Sequence, residues 1–188
     1  MKALFLDRDG IINYDYNHVY KIDEFIFKDD IFELCKYFQK NGYLIIIITN
    51  QAGIAKGFYK EEDYNILTNW MLNKFNEQGI NISKVFHCPH HPEFTGSCYC
   101  RKPNPKMILD AKKKFKINLK KSLLVGDNLS DINAGINAGI GENFLLSDDK
   151  ANANFLPMEI IKDNFRYTNV ASLIQIINLK FKKNKKEQ

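Results

Sequence analysis

The chain predicts an α/β fold: a Rossmann-like, mostly parallel sheet flanked by helices. Three observations predict it. Apolar strand-like segments alternate with amphipathic helical patterns along most of the length, the signature of βαβ units. The run Tyr43 to Ile48 is continuously apolar, which suits a central strand buried on both faces. The stretch Leu4-Phe5-Leu6-Asp7-Arg8-Asp9-Gly10 ends an apolar strand in two carboxylates one residue apart, and open α/β sheets gather their ligands at the carboxyl ends of strands.

The elements follow in order. Lys2 to Leu6 is the first strand, and Asp29 to Lys40 carries apolar residues at helical spacing (Ile31, Phe32, Leu34, Cys35, Phe38) before Asn41-Gly42 stops it. After the strand at Tyr43 to Ile48, Glu61 to Gln78 is the longest helical pattern. Tyr64, Leu67, Met71 and Phe75 lie on its stripe, and Gly79 is its stop. Val85-Phe86 opens a third strand that breaks into a Cys/His-rich loop. A helix over Pro105 to Phe115, a strand at Leu123 to Val125, a helix from about Asp131, a strand at Phe144 to Leu146 and a closing helix over Ala171 to Phe181 complete the pattern. The interval between first strand and first helix has room for a flap and not for a cap domain, so the fold is expected to be capless.

The 188 residues, 45% hydrophobic and 26% charged, fit one globular domain over residues 1–179, with a basic tail at 180–188. That tail holds five lysines against Glu187, a net +4 of the chain's +5, so the body is nearly neutral. A solvated, frayed terminus is the expectation for it, and neither nucleic acid nor membrane is an expected partner. The longest apolar run is too short to span a bilayer, and the first carboxylate comes too early for a secretory signal. A cytoplasmic monomer is expected.

Chemistry-bearing residues sit at successive strand ends. Residues i and i+2 of a strand share a side, so Asp7 and Asp9 face one space, and two adjacent anions need a shared cation or proton. The second strand ends in Thr49-Asn50-Gln51. The third leads to Arg101-Lys102-Pro103. The fourth ends in Gly126-Asp127-Asn128, with Asp131 one helical turn beyond. Residues 87–100 hold three of the four cysteines and three of the four histidines. A Cys-x-His pair and a Cys-x-Cys pair can fold back into a tetrahedral zinc site; His87, His90 and His91 compete for its one nitrogen position. Cys35 lies on an apolar helix stripe and reads as core.

An Asp pair, a Thr, a Lys and an Asp in this order resemble the haloacid dehalogenase-like superfamily of phosphotransferases, whose four motifs match Asp7-x-Asp9, Thr49, Lys102 and Gly126-Asp127-x-x-x-Asp131. The longer matches Phe5 to Gly10, Thr49 to Gln51, Cys88-Pro89-His90-His91-Pro92 and Cys100 to Pro103 resemble the zinc-loop branch. That branch holds the D-glycero-D-manno-heptose 1,7-bisphosphate 7-phosphatases and the histidinol-phosphate phosphatases.

The resemblance implies a Mg²⁺-dependent phosphatase of a small sugar bisphosphate, first of all D-glycero-D-manno-heptose 1,7-bisphosphate of surface-polysaccharide precursor synthesis, cleaved at its 7-phosphate through an aspartyl-phosphate. It implies Asp7 as nucleophile and Asp9 as acid and base. Mg²⁺ would be held by Asp7, the Asp9 backbone carbonyl and Asp127, and Zn²⁺ by Cys88, His90, Cys98 and Cys100. It further implies substrate contacts at Asp15, Tyr16, Asn17, His18, Thr49, Asn50, Gln51, Arg101 and Lys102, with Asn128 and Asp131 orienting their neighbours. Asn128 departs from the branch, where a Lys often follows the motif Asp. A histidinol-phosphate phosphatase, a polynucleotide 3′-phosphatase and a non-catalytic zinc-stapled binding module are the alternatives.

Overall fold

The computed structural model describes residues 1–147, 156–162 and 165–186. Its strands are β1 (Lys2–Leu6), β2 (Tyr43–Asn50), β3 (Ile82–Cys88), β4 (Leu123–Gly126), β5 (Glu142–Leu146), β6 (Met158–Lys162) and β7 (Phe165–Val170). They form one sheet in the order β3-β2-β1-β4-β5-β7-β6, parallel except for the β6–β7 pair. The connecting helices are α1 (Ile31–Lys40), α2 (Ala52–Ala55), α3 (Glu61–Glu77), α4 (Pro92–Thr95), α5 (Lys106–Phe115), α6 (Leu129–Ala138) and α7 (Leu173–Lys186).

Strand alternation divides the core into two layers. Leu4, Leu6, Ile45 and Ile47 pack against α1, α3 and α7 on one face. Ala3, Phe5, Ile46 and Ile48 pack against α5 and α6 on the other. The continuous apolar run in β2 follows from this, because both faces of that strand are covered. The helix stripes bury the residues their spacing marks: Ile31, Leu34, Cys35 and Phe38 on α1, and Tyr64, Leu67, Met71 and Phe75 on α3.

The pairings Leu6↔Ile47 and Leu6↔Val125 bring the ends of β1, β2 and β4 level, so whatever follows each of them shares one edge. The β1–α1 interval folds as a flap, stitched by bridges Asp9↔Asn13 and Asn13↔Phe27, and contains no cap domain.

Apart from the short helices α2 and α4, which the sequence pattern does not mark, the structure departs from it at four main places. β3 begins at Ile82, earlier than expected. α6 begins at Leu129, because Asn128 accepts from the Ser130 N–H while Asp131 accepts from the Asn128 N–H, a reciprocal cap that starts the helix ahead of Asp131. The hairpin of β6 and β7 at the sheet's end carries no clean alternation and was not foreseen. α7 runs beyond Phe181 to Lys186, so the segment expected to fray continues a helix. Lysines suit a helix carboxyl end, and Lys180 lies 2.6 Å from Glu142. Among the described residues no helix is long and apolar enough to cross a membrane.

Candidate active site

At the carboxyl edge of the sheet one cation is shared by two acids. Lys102 Nζ lies 2.8 Å from Asp7 Oδ1, 2.6 Å from Asp131 Oδ1 and 2.9 Å from the Ile48 carbonyl. Burial opposes the Lys102 charge, but Asp131 and Asp7 outweigh it and hold the ammonium above its ordinary range. Asn50 seats the Lys102 backbone from both sides, accepting from its N–H at 3.0 Å and donating to its carbonyl at 3.2 Å. Asp7 Oδ1 also accepts from the Arg8 N–H at 2.7 Å.

Asp7, Asp127 and Asp131 offer carboxylate oxygens within 4.8 Å of one another. Two glycines permit this approach. A Cβ on Gly10, which is left-handed at φ +82°, would meet Asp127 Oδ2 at 1.8 Å, and one on Gly126 would meet the Asp131 side chain at 2.2 Å. The crowding makes Asp7 and Asp127 harder to ionise. Burial and then the Asp131 charge push Asp7 well above the ordinary carboxylate range, against the pull of Lys102. Burial, again with Asp131, pushes Asp127 up to about 6. Three carboxylates facing one ammonium fit a hard divalent cation bound through oxygen. Asp131 has both oxygens committed, to Lys102 and to the Asn128 N–H, whereas Asp7 keeps Oδ2 outside these bonds.

Asp9 has a different environment. Its Oδ1 accepts from Arg8 Nε (3.1 Å), Arg8 Nη2 (2.9 Å) and Asn13 Nδ2 (3.0 Å); its Oδ2 accepts from Arg8 Nη2 and Gln51 Nε2, both at 2.9 Å. Gln51 Nε2 reaches Thr49 Oγ1 at 2.8 Å, while Gln51 Oε1 accepts from the Tyr59 hydroxyl at 2.6 Å. Gln51, expected at the substrate, lines the cleft described below and also joins Asp9 to Thr49. Arg8, Asn13 and Tyr59 escaped the sequence reading. For Arg8, only its place between two acids hinted at a partner.

A cleft of about 300 Å³ opens over these groups. Asp15, Asn17, His18, Thr49, Asn50, Gln51, Arg101, Lys102, Asp127, Asn128 and Asp131 line it, as does Lys56. Tyr16 falls outside it, in an adjoining groove with Phe58 and Ile26. The flap's bend is local: Asp15 accepts from the Asn17 N–H at 2.9 Å, and Asn17 and His18 take left-handed φ of 66° and 60°.

Beside the cleft, Cys88, His90, Cys98 and Cys100 turn their donor atoms to one point. His90 Nδ1 lies 3.3 Å from Cys100 Sγ and 3.7 Å from Cys88 Sγ, and the sulfurs are 2.9–3.5 Å apart. Three sulfurs and one nitrogen suit a closed tetrahedral zinc site. The other two histidines are engaged elsewhere: His87 lies 2.7 Å from Glu61 and against the Tyr64 ring, and His91 caps α4. Arg101 and Lys102 follow the last cysteine directly, so the cluster sets where these cations enter the cleft.

Comparison with known proteins agrees with this geometry. Residues 99–162 match a family model described as HAD-hydrolase-like. The D-glycero-alpha-D-manno-heptose-1,7-bisphosphate 7-phosphatase of Campylobacter jejuni is 51% identical over 82% of this chain and 87% of its own. The beta-anomer 7-phosphatase of Helicobacter pylori is 45% identical over 77% of this chain and 83% of its own. A crystal structure of D,D-heptose 1,7-bisphosphate phosphatase from B. bronchiseptica, complexed with magnesium and phosphate, superposes with a TM-score of 0.80 at 25% identity, covering 97% of this chain and 99% of that one. With half its residues identical to a curated relative across four fifths of its length, the chain belongs to the D-glycero-D-manno-heptose 1,7-bisphosphate 7-phosphatase family of HAD-like hydrolases.

Proposed function

We propose that this chain hydrolyses D-glycero-D-manno-heptose 1,7-bisphosphate at its 7-phosphate through an aspartyl-phosphate on Asp7. The observation that carries the reading is the unequal treatment of the two acids at the end of β1. Asp7 faces the carboxylate cluster and Lys102, where a phosphoryl group can be neutralised, whereas Asp9 is gripped on its far side by Arg8. An Asp7 oxygen attacks phosphorus, and the bond from phosphorus to the sugar oxygen breaks. The bonding pair stays on that oxygen, which takes a proton from the Asp9 carboxyl. Water then attacks the same phosphorus and gives its proton to Asp9, releasing inorganic phosphate and free Asp7.

The Asp7 and Asp127 carboxylates and the Asp9 backbone carbonyl would hold Mg²⁺, which when bound neutralises the transferring phosphoryl oxygens. Thr49 and Lys102 would bind those oxygens, with Arg101 and residues 15–18 of the flap contacting the sugar. One chain supplies every group used here, so a monomer suffices, and the thiols of the Cys/His cluster suit the reducing cytoplasm.

The α anomer is the favoured substrate: relatives named for it are 48–51% identical to this chain, against 39–45% for those named for the β anomer. Phosphate release from the two anomers and from histidinol phosphate, with Mg²⁺, tests the reading. The α anomer is expected to have the highest kcat/KM. A higher value for the β anomer would overturn the anomer assignment, and one for histidinol phosphate the substrate class.

Zn²⁺ at Cys88, His90, Cys98 and Cys100 would act as a staple, since four protein ligands leave no open position. Cys98→Ser is expected to lower bound zinc from one equivalent and to reduce melting temperature and turnover together, because the staple sets the path of Arg101 and Lys102. Metal analysis that still finds one tightly held zinc would remove Cys98 from the ligand set.

A further inference from the structure

Arg8 is the largest side chain wholly buried among the described residues, 1% exposed, and no step of the reaction above uses it. Its surroundings are unusual for a stabilising ion pair. Nε and Nη2 fork onto Asp9, and Nη2 also donates to the Val19 carbonyl at 2.7 Å, where the flap returns to the core. The guanidinium carbon lies 5.8 Å from the Tyr64 ring centroid. Nη1 is buried with no hydrogen-bond partner among the described residues. A buried guanidinium with one nitrogen unpaired costs stability, so structure alone gives a weak reason for it.

The two Asp9 oxygens are treated unequally. Oδ1 takes three donors, Arg8 Nε, Arg8 Nη2 and Asn13 Nδ2, whereas Oδ2 takes Arg8 Nη2 and Gln51 Nε2 and lies on the side of Thr49, because Gln51 Nε2 touches both Oδ2 and Thr49 Oγ1. Oδ2 is thus the oxygen nearer the place proposed for the transferring phosphoryl group. A planar fork can hold a carboxylate's rotation, whereas an ammonium, a point charge, cannot.

We infer that Arg8 is a positioning residue for the acid–base carboxylate: its fork across both Asp9 oxygens, weighted to Oδ1, fixes the carboxylate plane so that Oδ2 faces the leaving oxygen, and it ties that aim to the flap through the Val19 carbonyl. The inference rests on the assignment of Asp9 as acid and base. Its consequence concerns the leaving group. A sugar alkoxide must be protonated as its bond to phosphorus breaks, so its departure depends on the aim of Asp9. A p-nitrophenolate ion is stable unprotonated and leaves without that proton.

The test uses the full chain with Mg²⁺. Turnover of heptose bisphosphate is compared with the rapid-mixing burst of p-nitrophenol from p-nitrophenyl phosphate, which reads the first step alone. Arg8→Lys keeps the charge and loses the fork. It is expected to lower kcat on the sugar roughly 10²-fold, a loss of the order of general-acid catalysis, with KM little changed and the burst rate within a few-fold of wild type. An equal loss on both substrates, or none on the sugar, overturns the inference. Asp9→Asn, run in parallel, should show the same selectivity at larger size. If it does not, the assignment of Asp9 fails; if it does while Arg8→Lys does not, only the role of Arg8 fails. Should Arg8→Lys not fold, Asn13→Ala removes a donor from the same oxygen. It must then show a smaller loss of the same selectivity, and its absence overturns the inference equally.

Discussion

Asp7→Asn is expected to reduce phosphate release by roughly 10⁴–10⁶-fold, the scale on which an enzyme loses a nucleophile that works as one unit with its partners. An amide oxygen is a poor nucleophile for phosphorus and forms no aspartyl-phosphate. The neighbours should stay in place: the Asn oxygen can still accept from the Arg8 N–H and from Lys102, which now bond Asp7 Oδ1. Turnover within roughly tenfold of wild type would remove Asp7 from that role.

The same substitution has an opposite effect on the fold, and its sign follows from the titration of the cluster. Asp7 and Asp127 are harder to ionise folded than unfolded, Asp127 moving from 3.8 to about 6, mainly through burial and then the nearby Asp131 charge. A carboxyl raised in the folded state contributes stability that is complete below its unfolded value and is lost as pH rises through the folded one. Metal-free protein should therefore lose melting temperature across the window from 3.8 to about 6, and Mg²⁺ should restore it above that window by neutralising the cluster. Asp7→Asn removes one of the crowded charges. Without metal at pH 7 it should melt at or above wild type, and its gain from Mg²⁺ should shrink. Equal Mg²⁺-induced shifts in variant and wild type would show that Asp7 does not hold the ion.

The sheet and its catalytic edge were legible in the sequence because periodicity and strand-end chemistry are local signals. Tyr43 to Ile48 and the stripes of α1 and α3 could be read one residue at a time. Parallel strands with level ends then carry Asp7, Thr49 and Asp127 to one edge as a matter of topology. What could not be read depends on contacts across the fold. Nothing near Gln51 in sequence shows that its amide would be taken up by Asp9, Thr49 and Tyr59. Arg8 turns inward against the general tendency of charged residues, and only the carbonyl of Val19 and the carboxylate of Asp9 explain why it can. The β6–β7 hairpin was missed for a related reason. It extends the sheet at an edge where Met158 and Ile161 stay exposed, so burial imposes no clear alternation on it.

Lys102→Met should damage stability and activity together, and the two losses should separate when its partner is changed as well. The Lys102 side chain is 1% exposed and the Asp131 side chain 2%, so deleting the cation leaves a buried carboxylate whose remaining bond is to the Asn128 N–H. Breaking a buried pair from one side costs about 3–5 kcal/mol, a large part of the roughly 5–15 kcal/mol that holds a domain together. Asp7 loses its Nζ contact at the same time, and the phosphoryl group loses a fixed cation, for which a fall of roughly 10²–10³-fold in kcat is expected. Adding Asp131→Asn to Lys102→Met removes the stranded charge, so the double variant should recover part of the lost stability in urea unfolding. It should recover none of the turnover, because no cation returns to the cleft. Lys102→Arg keeps the charge, but a planar guanidinium cannot occupy a position shared by Asp7 Oδ1, Asp131 Oδ1 and the Ile48 carbonyl at 2.6–2.9 Å without displacing one of them. A Lys102→Met protein with the urea midpoint of wild type would mean that the Lys102–Asp131 pair contributes nothing to holding the fold. Recovery of turnover in the double variant would mean that Lys102 serves only to offset Asp131.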